Sequence, residues 1–232
     1  MRWASSDRAG VPPMTGSAQR MYRVGVVSDT HVGDALPALP VGVLEALAGV
    51  DLIVHAGDVT TTAVLDRLRE IAPVVAVQGN HDVAAGLALP TTAVVTIGGA
   101  RIGVTHGLRG RAPETAAILA GIACGRPVMA GLARTLVSRF ADVDCVVFGH
   151  FHVPYLGQVG TTTVFSPGAV YVAEADPFMQ YRGMKGRAFR RFRAGLPEAA
   201  HVPHVGILEI ADGVIAPRFV PLAGGLRAVP AL

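Results

Sequence analysis

Short apolar runs alternating with helical patterns constrain this chain more than any other feature. Tyr22 to Val27, Asp51 to Ala56 and Pro73 to Val77 are rich in Val and Ile and read as strands. Leu36 to Ala48 and Thr62 to Ile71 read as the helices between them. Pro37 and Pro40 delay the first helix, and Thr60 or Thr61 caps the second. Strands this short and apolar, alternating with helices, fit a parallel sheet buried on both faces.

Beyond Val77 the rhythm changes. Ala93 to Ile97 and Arg101 to Thr105 flank Gly98-Gly99, which predicts a hairpin. Glu114 to Ala123 and Val128 to Phe140 read as helical, broken by Gly125 and Pro127. Val143 to Phe148 reads as a further buried strand. Tyr155 to Val159 with Thr162 to Phe165, and Val205 to Ile210 with Val214 to Phe219, read as two more hairpins. The expected architecture is α/β: an αββα-like sandwich of two mixed β-sheets with helices outside.

Composition removes some alternatives. With 232 residues, 51% of them hydrophobic, the chain can bury one sizeable core. Mean hydropathy is +0.45, so a membrane span has to be tested. The uncharged stretch Val83 to Ala100 carries Pro90, three Thr and three Gly, which suit a loop and strands. Cys145 to Ala173 is broken by Gly- and His-bearing turns and two Pro, so no membrane helix is expected. Residues 1–20 are small, polar and rich in Gly, Pro and Ser, without the apolar region of a signal peptide; the expectation is a disordered tail before a single domain at 21–232. Met21 stands directly before the first strand, so the tail could reflect a choice of start site. Cys124 and Cys145 give no disulfide framework, which fits a cytoplasmic protein.

Five strand ends carry metal-binding residue types. They read Ser28-Asp29-Thr30-His31, Gly57-Asp58, Gly79-Asn80-His81-Asp82, Thr105-His106-Gly107 and Gly149-His150-Phe151-His152. Functional groups of open α/β sheets gather beyond the carboxyl ends of strands. Asp29 with His31, and His150 with His152, are two apart, and in an extended chain such residues face one side. Imidazole suits Mn, Fe, Zn or Ni, and a carboxylate can bridge two cations. Two metals so held can clamp both oxygens of a phosphoryl transfer. For a lone His or Asp a surface turn is the better reading; five strand ends together point to a site.

These ordered blocks, over about Tyr22 to Phe219, resemble the calcineurin-like metallophosphoesterase superfamily. Ser28-Asp29-Thr30-His31 and His55-Ala56-Gly57-Asp58-Val59 are most similar to its small single-domain bacterial and archaeal phosphodiesterases, and Ser166-Pro167-Gly168-Ala169 resembles their Asn-Pro-Gly-Ser turn. The resemblance implies that Asp29, His31 and His152 bind one metal, that Asn80, His106 and His150 bind a second, and that Asp58 bridges both. It implies His81 as the group that protonates the leaving oxygen, with Asp82 orienting it. The implied cofactors are two divalent ions, Mn first, with Fe, Zn or Ni as the others. The implied activity is phosphoester hydrolysis, most readily of phosphodiesters with nucleotide-like ones among them, by a hydroxide shared between the metals.

Two stretches depart from that pattern. The gap from His106 to His150 is long and holds the Ala-rich segment 113–140. A basic insertion at about 174–204 carries Arg182, Lys185, Arg187, Arg190, Arg191 and Arg193 with no acid between the first and last, interleaved with Phe178, Tyr181, Phe189 and Phe192. Arg182, Lys185 and Arg187 are candidates for holding a substrate phosphate; a solvated face, or a surface for a second copy of the chain, is the plainer reading. His55, inside a strand, reads as structural, and His201 and His204 read as surface residues. Two alternatives to a small-substrate enzyme stand. One is a nuclease using the basic insertion. The other is a non-catalytic metal-binding scaffold, as in the retromer subunit of this fold, although that subunit lacks a full set of catalytic histidines, whereas here His81 and all seven ligands are present.

Overall fold

The computed structural model describes residues 20–124, 128–172, 182–196 and 198–222. The expected tail at 1–20 falls outside them except for Arg20, as do Phe178 and Tyr181. The first half alternates as the pattern requires: β1 (Tyr22–Val27), α1 (Val41–Ala46), β2 (Leu52–His55), α2 (Thr62–Arg69), β3 (Val74–Ala76) and a short α3 (Asn80–Ala84). Then come the hairpin β4 (Thr92–Ile97) and β5 (Ala100–Thr105), helices α4 (Arg111–Cys124) and α5 (Leu132–Val137), β6 (Cys145–Val147), and the hairpin β7 (Tyr155–Val159) and β8 (Thr162–Ser166). Helix α6 (Gly183–Ala194), a 3₁₀ turn at Glu198–His201, and the hairpin β9 (His204–Ala211) and β10 (Val214–Pro221) complete the described elements. Pro40 stands at the N-cap of α1, because a proline lacks the amide that a helix interior would use.

Two five-stranded sheets form, in the orders β10-β9-β1-β2-β3 and β4-β5-β6-β8-β7. Both are mixed. β1, β2 and β3 run parallel in the first, and β5, β6 and β8 in the second, while hairpins supply the antiparallel edges. The two-residue period of a strand sorts side chains between layers. Val24, Val26 and Val54 of one sheet meet Ile102, Val104, Cys145, Val147 and Phe165 of the other. The alternate residues Val27 and Ile53 face α1 and α2 through Val43, Leu47, Leu65 and Leu68. Val146 and Val164 face Leu132 and Leu136 of α5. Each such buried side chain contributes about 1.5–3 kcal/mol, so a Val-rich core needs few aromatic residues. The result is the expected αββα sandwich.

The parallel strands of both sheets end at one rim. Among the described residues, no helix is long and apolar enough to cross a membrane.

Candidate metal centre

Backbone strain marks the rim. Asp29 (φ 52°), His31 (φ 44°), Asp58 (φ 56°), His150 (φ 75°) and His152 (φ 56°) all adopt the left-handed region. That region is uncommon for non-glycine residues, and each such residue costs about 1–3 kcal/mol and persists only where its surroundings impose it. Here the rim imposes it: the Asp29 amide donates to Gly57 O (3.0 Å), the His31 amide to Asp58 O (3.2 Å) and the Gly149 amide to His106 O (3.0 Å). The two-apart pairs therefore converge through left-handed turns beyond β1 and β6, and not through strand alternation as the spacing alone predicts.

Asp58 is the hub. Its Oδ1 accepts a bond from the His81 amide (2.8 Å). Its Oδ2 lies 3.4 Å from His31 Nε2 and 3.2 Å from His106 Nε2. On one side, Asp29 Oδ1 stands 3.6 Å from His152 Nε2, and the Asp29 carboxylate accepts from the His150 amide at 3.0 Å. On the other, Asn80 Oδ1 lies 3.1 Å from both His106 Nε2 and His150 Nδ1. His106 Nδ1 donates to Ala56 O at 2.8 Å, which turns Nε2 inward. The Tyr171 hydroxyl lies 3.0 Å from His152 Nδ1 and leaves Nε2 facing Asp29. No side chain but hydrogen fits at Gly79, whose Cβ would run into the Asp58 carboxylate, or at Gly149, whose Cβ would lie 2.7 Å from Asp29 Oδ2.

Asp29, His31, Asp58 and His152 each offer a ligand atom, all within 4.8 Å of one another. The donor set is mixed nitrogen and oxygen, as borderline divalent ions prefer. His31 supplies the stronger observation: it is buried, and neither ring nitrogen makes a hydrogen bond. A buried polar atom without a partner is costly, and a cation between His31 and the two carboxylates would remove that cost. The residues present therefore fit a metal.

Electrostatics agree. Burial drives the His31 imidazole down to about 3, and the neighbouring His152 adds to the fall. Burial also works against the charged form of His106, but the hydrogen bond and charge of Asp58 outweigh it and raise the imidazole to about 9. Asp58 is the converse: burial would raise its carboxyl, yet the His106 hydrogen bond and the charges of His106 and His31 hold it well below the usual carboxylate range. Without a metal, a proton on His106 does what a cation would do.

The remaining candidates are placed as follows. His81 sits at the start of α3 with its side chain partly open to solvent, its Nδ1 3.0 Å from Asp34 Oδ2. Asp82 is fully buried. Its carboxylate accepts from the amides of Gly79 (2.8 Å), Asp58 (2.9 Å) and Thr60 (2.7 Å), locking the rim's loops together. The carboxylate on the His81 ring is that of Asp34, which sequence reasoning passed over because it belongs to no motif. Glu114 of α4 was also passed over: it is buried, lies 3.2 Å from His150 Nε2, and pairs with Arg109 at 3.4 Å. An acid in an otherwise Ala-rich helical stretch was its only signal. Arg182 and Arg187 are exposed at and on α6 and do not line the cavity beside the centre; the side chain of Lys185 lies outside the description. His55 is buried against the Thr30 hydroxyl (3.2 Å). His204, expected at the surface, is buried where β9 starts, because its amide bonds Ala169 O (3.0 Å) and its ring meets Phe219.

Residues 22–181 match the calcineurin-like phosphoesterase superfamily domain. The chain belongs to that superfamily. It is 34% identical over 146 residues to a probable metallophosphoesterase of Methanocaldococcus jannaschii, covering 63% of this chain and 67% of that one. Its fold is similar to that of a predicted phosphoesterase from Streptococcus pneumoniae (TM-score 0.53, 20% identity, 90% of this chain and 94% of that one). It is also similar to Vps29 of Entamoeba histolytica in complex with Zn²⁺ (TM-score 0.51, 22% identity, 86% and 99%). At those identities the structural likenesses concern the fold alone. The superfamily acts on phosphoesters and binds divalent metals, and the rim of this chain has side chains that could hold a metal.

Proposed function

We propose that this phosphoesterase hydrolyses phosphodiesters with two divalent cations, Mn²⁺ first among the candidates, in the reducing cytoplasm that its free cysteines suit. One cation would be held by Asp29, His31 and His152, the other by Asn80, His106 and His150, with Asp58 shared. The observation that carries this reading is the Asp58 carboxylate lying within 3.4 Å of histidines from both sets. Cations there supply Lewis acidity to the phosphoryl oxygens and an activated water at neutral pH.

The protein's own groups do the rest. His81 stands beside the centre with Nδ1 3.0 Å from Asp34 Oδ2, and in this reading it is the group that would protonate the leaving oxygen. Asp34 fixes that ring, and Asp82 fixes the loop that carries it. The Arg182, Lys185 and Arg187 segment serves a longer anionic substrate in the nuclease version of this reading; no binding to DNA or RNA at low salt removes that version. Purified protein with added Mn²⁺ should hydrolyse bis(4-nitrophenyl) phosphate, and EDTA should stop it. If elemental analysis finds no metal under any supplementation, the dinuclear reading fails.

Asp34→Asn keeps an acceptor near His81 but removes its charge. Asp34 is largely exposed, so the loss should be modest, about ten-fold or less in kcat with KM steady. The loss should be larger for diesters with alkyl leaving groups than for nitrophenyl esters, whose leaving oxygen needs no proton. An equal loss for both leaving groups would mean that Asp34 serves only the loop.

A further inference from the structure

Among the described residues, one cationic side chain near the centre has no ion-pair partner. A cavity of about 850 Å³ opens beside the Asn80, His106 and His150 side of the rim, walled in part by Val83 and Leu108. Arg139 also lines it. Its Nη1 donates to Thr105 Oγ1 at 3.1 Å, one residue before His106, and its Nη2 donates to Leu108 O. Both partners are neutral. Glu114, also on this wall, is already paired with Arg109 and His150. Among the described residues Arg139 has no ion-pair partner.

The sequence builds this placement deliberately in space. Arg139 follows α5, and the next residue, Phe140, lies flat on the bare backbone of Gly103 in β5, where a Cβ would meet its ring at 2.9 Å. That contact pins the segment against β5, two residues short of Thr105. A guanidinium is a planar fork suited to phosphate or carboxylate oxygens, and that of Arg139 is exposed at the cavity wall, held by two neutral acceptors that leave its charge available to an anionic ligand. The cavity volume suits a ligand the size of a nucleotide.

We propose that the cavity receives the alcohol half of a phosphoester that carries a second anionic group, and that Arg139 binds that group. The substrate class is then a nucleotide-sized phosphodiester with a terminal phosphate or carboxylate, such as the end of a phosphorylated oligonucleotide. Arg139 is a specificity residue: it holds the part of the substrate that does not react. This inference rests on the phosphodiesterase reading for its chemistry, but the anion site can be tested without turnover.

The probes are thymidine 5′-phosphate and thymidine 3′,5′-bisphosphate, titrated calorimetrically into the full chain with Mn²⁺ and again after EDTA. In the Mn²⁺ protein the bisphosphate should bind about ten-fold more tightly. Arg139→Gln should erase that preference, Arg139→Lys should restore part of it, and Arg134→Gln on the exposed face of α5 should leave it intact. The 4-nitrophenyl esters of the same two nucleotides should show the same preference in KM. Equal affinities in the native protein, or an undiminished preference in Arg139→Gln, would overturn the proposal. If Arg139→Gln does not fold, loss of the native preference on raising ionic strength, with partial recovery in Arg139→Lys, supports it, and a salt-independent preference overturns it. Absence of hydrolysis with a retained preference after EDTA would sink the phosphodiesterase reading and leave the anion site standing.

Discussion

Asp58→Asn should remove metal binding from both halves of the centre at once and reduce phosphodiester hydrolysis to background. The carboxylate Oδ2 faces His31 and His106 together, while Oδ1 is held by the His81 amide. An amide keeps the shape but loses the charge that two cations would share. Substitution of groups outside a ligand set already costs about 10–100-fold in affinity, so loss of the shared ligand should cost more than about 100-fold. Competition with a metal-sensitive dye, together with elemental analysis, measures it; normal occupancy would contradict the bridge. The metal-free protein offers an independent reading. His106 is raised to about 9 against its burial chiefly by Asp58. A raised folded-state imidazole adds stability that is complete below the unfolded value near 6.5 and is lost as pH rises through about 9. Native metal-free protein should lose part of its stability across that window. In Asp58→Asn burial dominates, so His106 should titrate lower and most of that loss should vanish. Melting curves across the window check the sign.

His81→Ala should lower kcat/KM by about 10²–10⁴ for diesters with alkyl leaving groups, the range expected when a positioned proton donor is removed. The Asp58 carboxylate should be undisturbed, since the bond it receives comes from the residue 81 backbone, which alanine retains. Metal content should therefore match the native protein. The fall should be much smaller for 4-nitrophenyl esters, and that contrast separates a proton donor from a group that only shapes the pocket. Loss of metal with the side chain would instead make His81 a ligand, an arrangement that the proximity of His31, Asp34 and His81 makes worth measuring.

The two variants divide the site into a part that was readable in the sequence and a part that was not. Strand ends were readable because a β-strand buried on both faces is a short apolar run, and the polar residues that interrupt it mark the rim. Ser28-Asp29, Gly57-Asp58 and Gly149-His150 stand out for that reason. Gly79 belongs to the same blocks, and its backbone, packed against the Asp58 carboxylate, admits no Cβ. The turn geometry was not. Asp29 and His31 converge through left-handed conformations fixed by bonds to the 57–58 loop, which follows a different strand.

The sequence by itself determined the layered α/β plan and the identity of the groups at the rim, because hydrophobic period and strand termination are local properties of the chain. Tertiary structure alone decided how side chains from distant segments pair. It gave the His81 ring Asp34 and committed Asp82 to three backbone amides, although Asp82 is the nearer in sequence. It buried His204, read from the sequence as a surface residue, where its amide bonds Ala169 O and its ring meets Phe219 of β10. It set Arg139 next to Thr105, 34 positions away, on the wall of the cavity beside the centre. Each of these outcomes depends on which loops meet once two sheets close face to face, and no local pattern encodes such a distance.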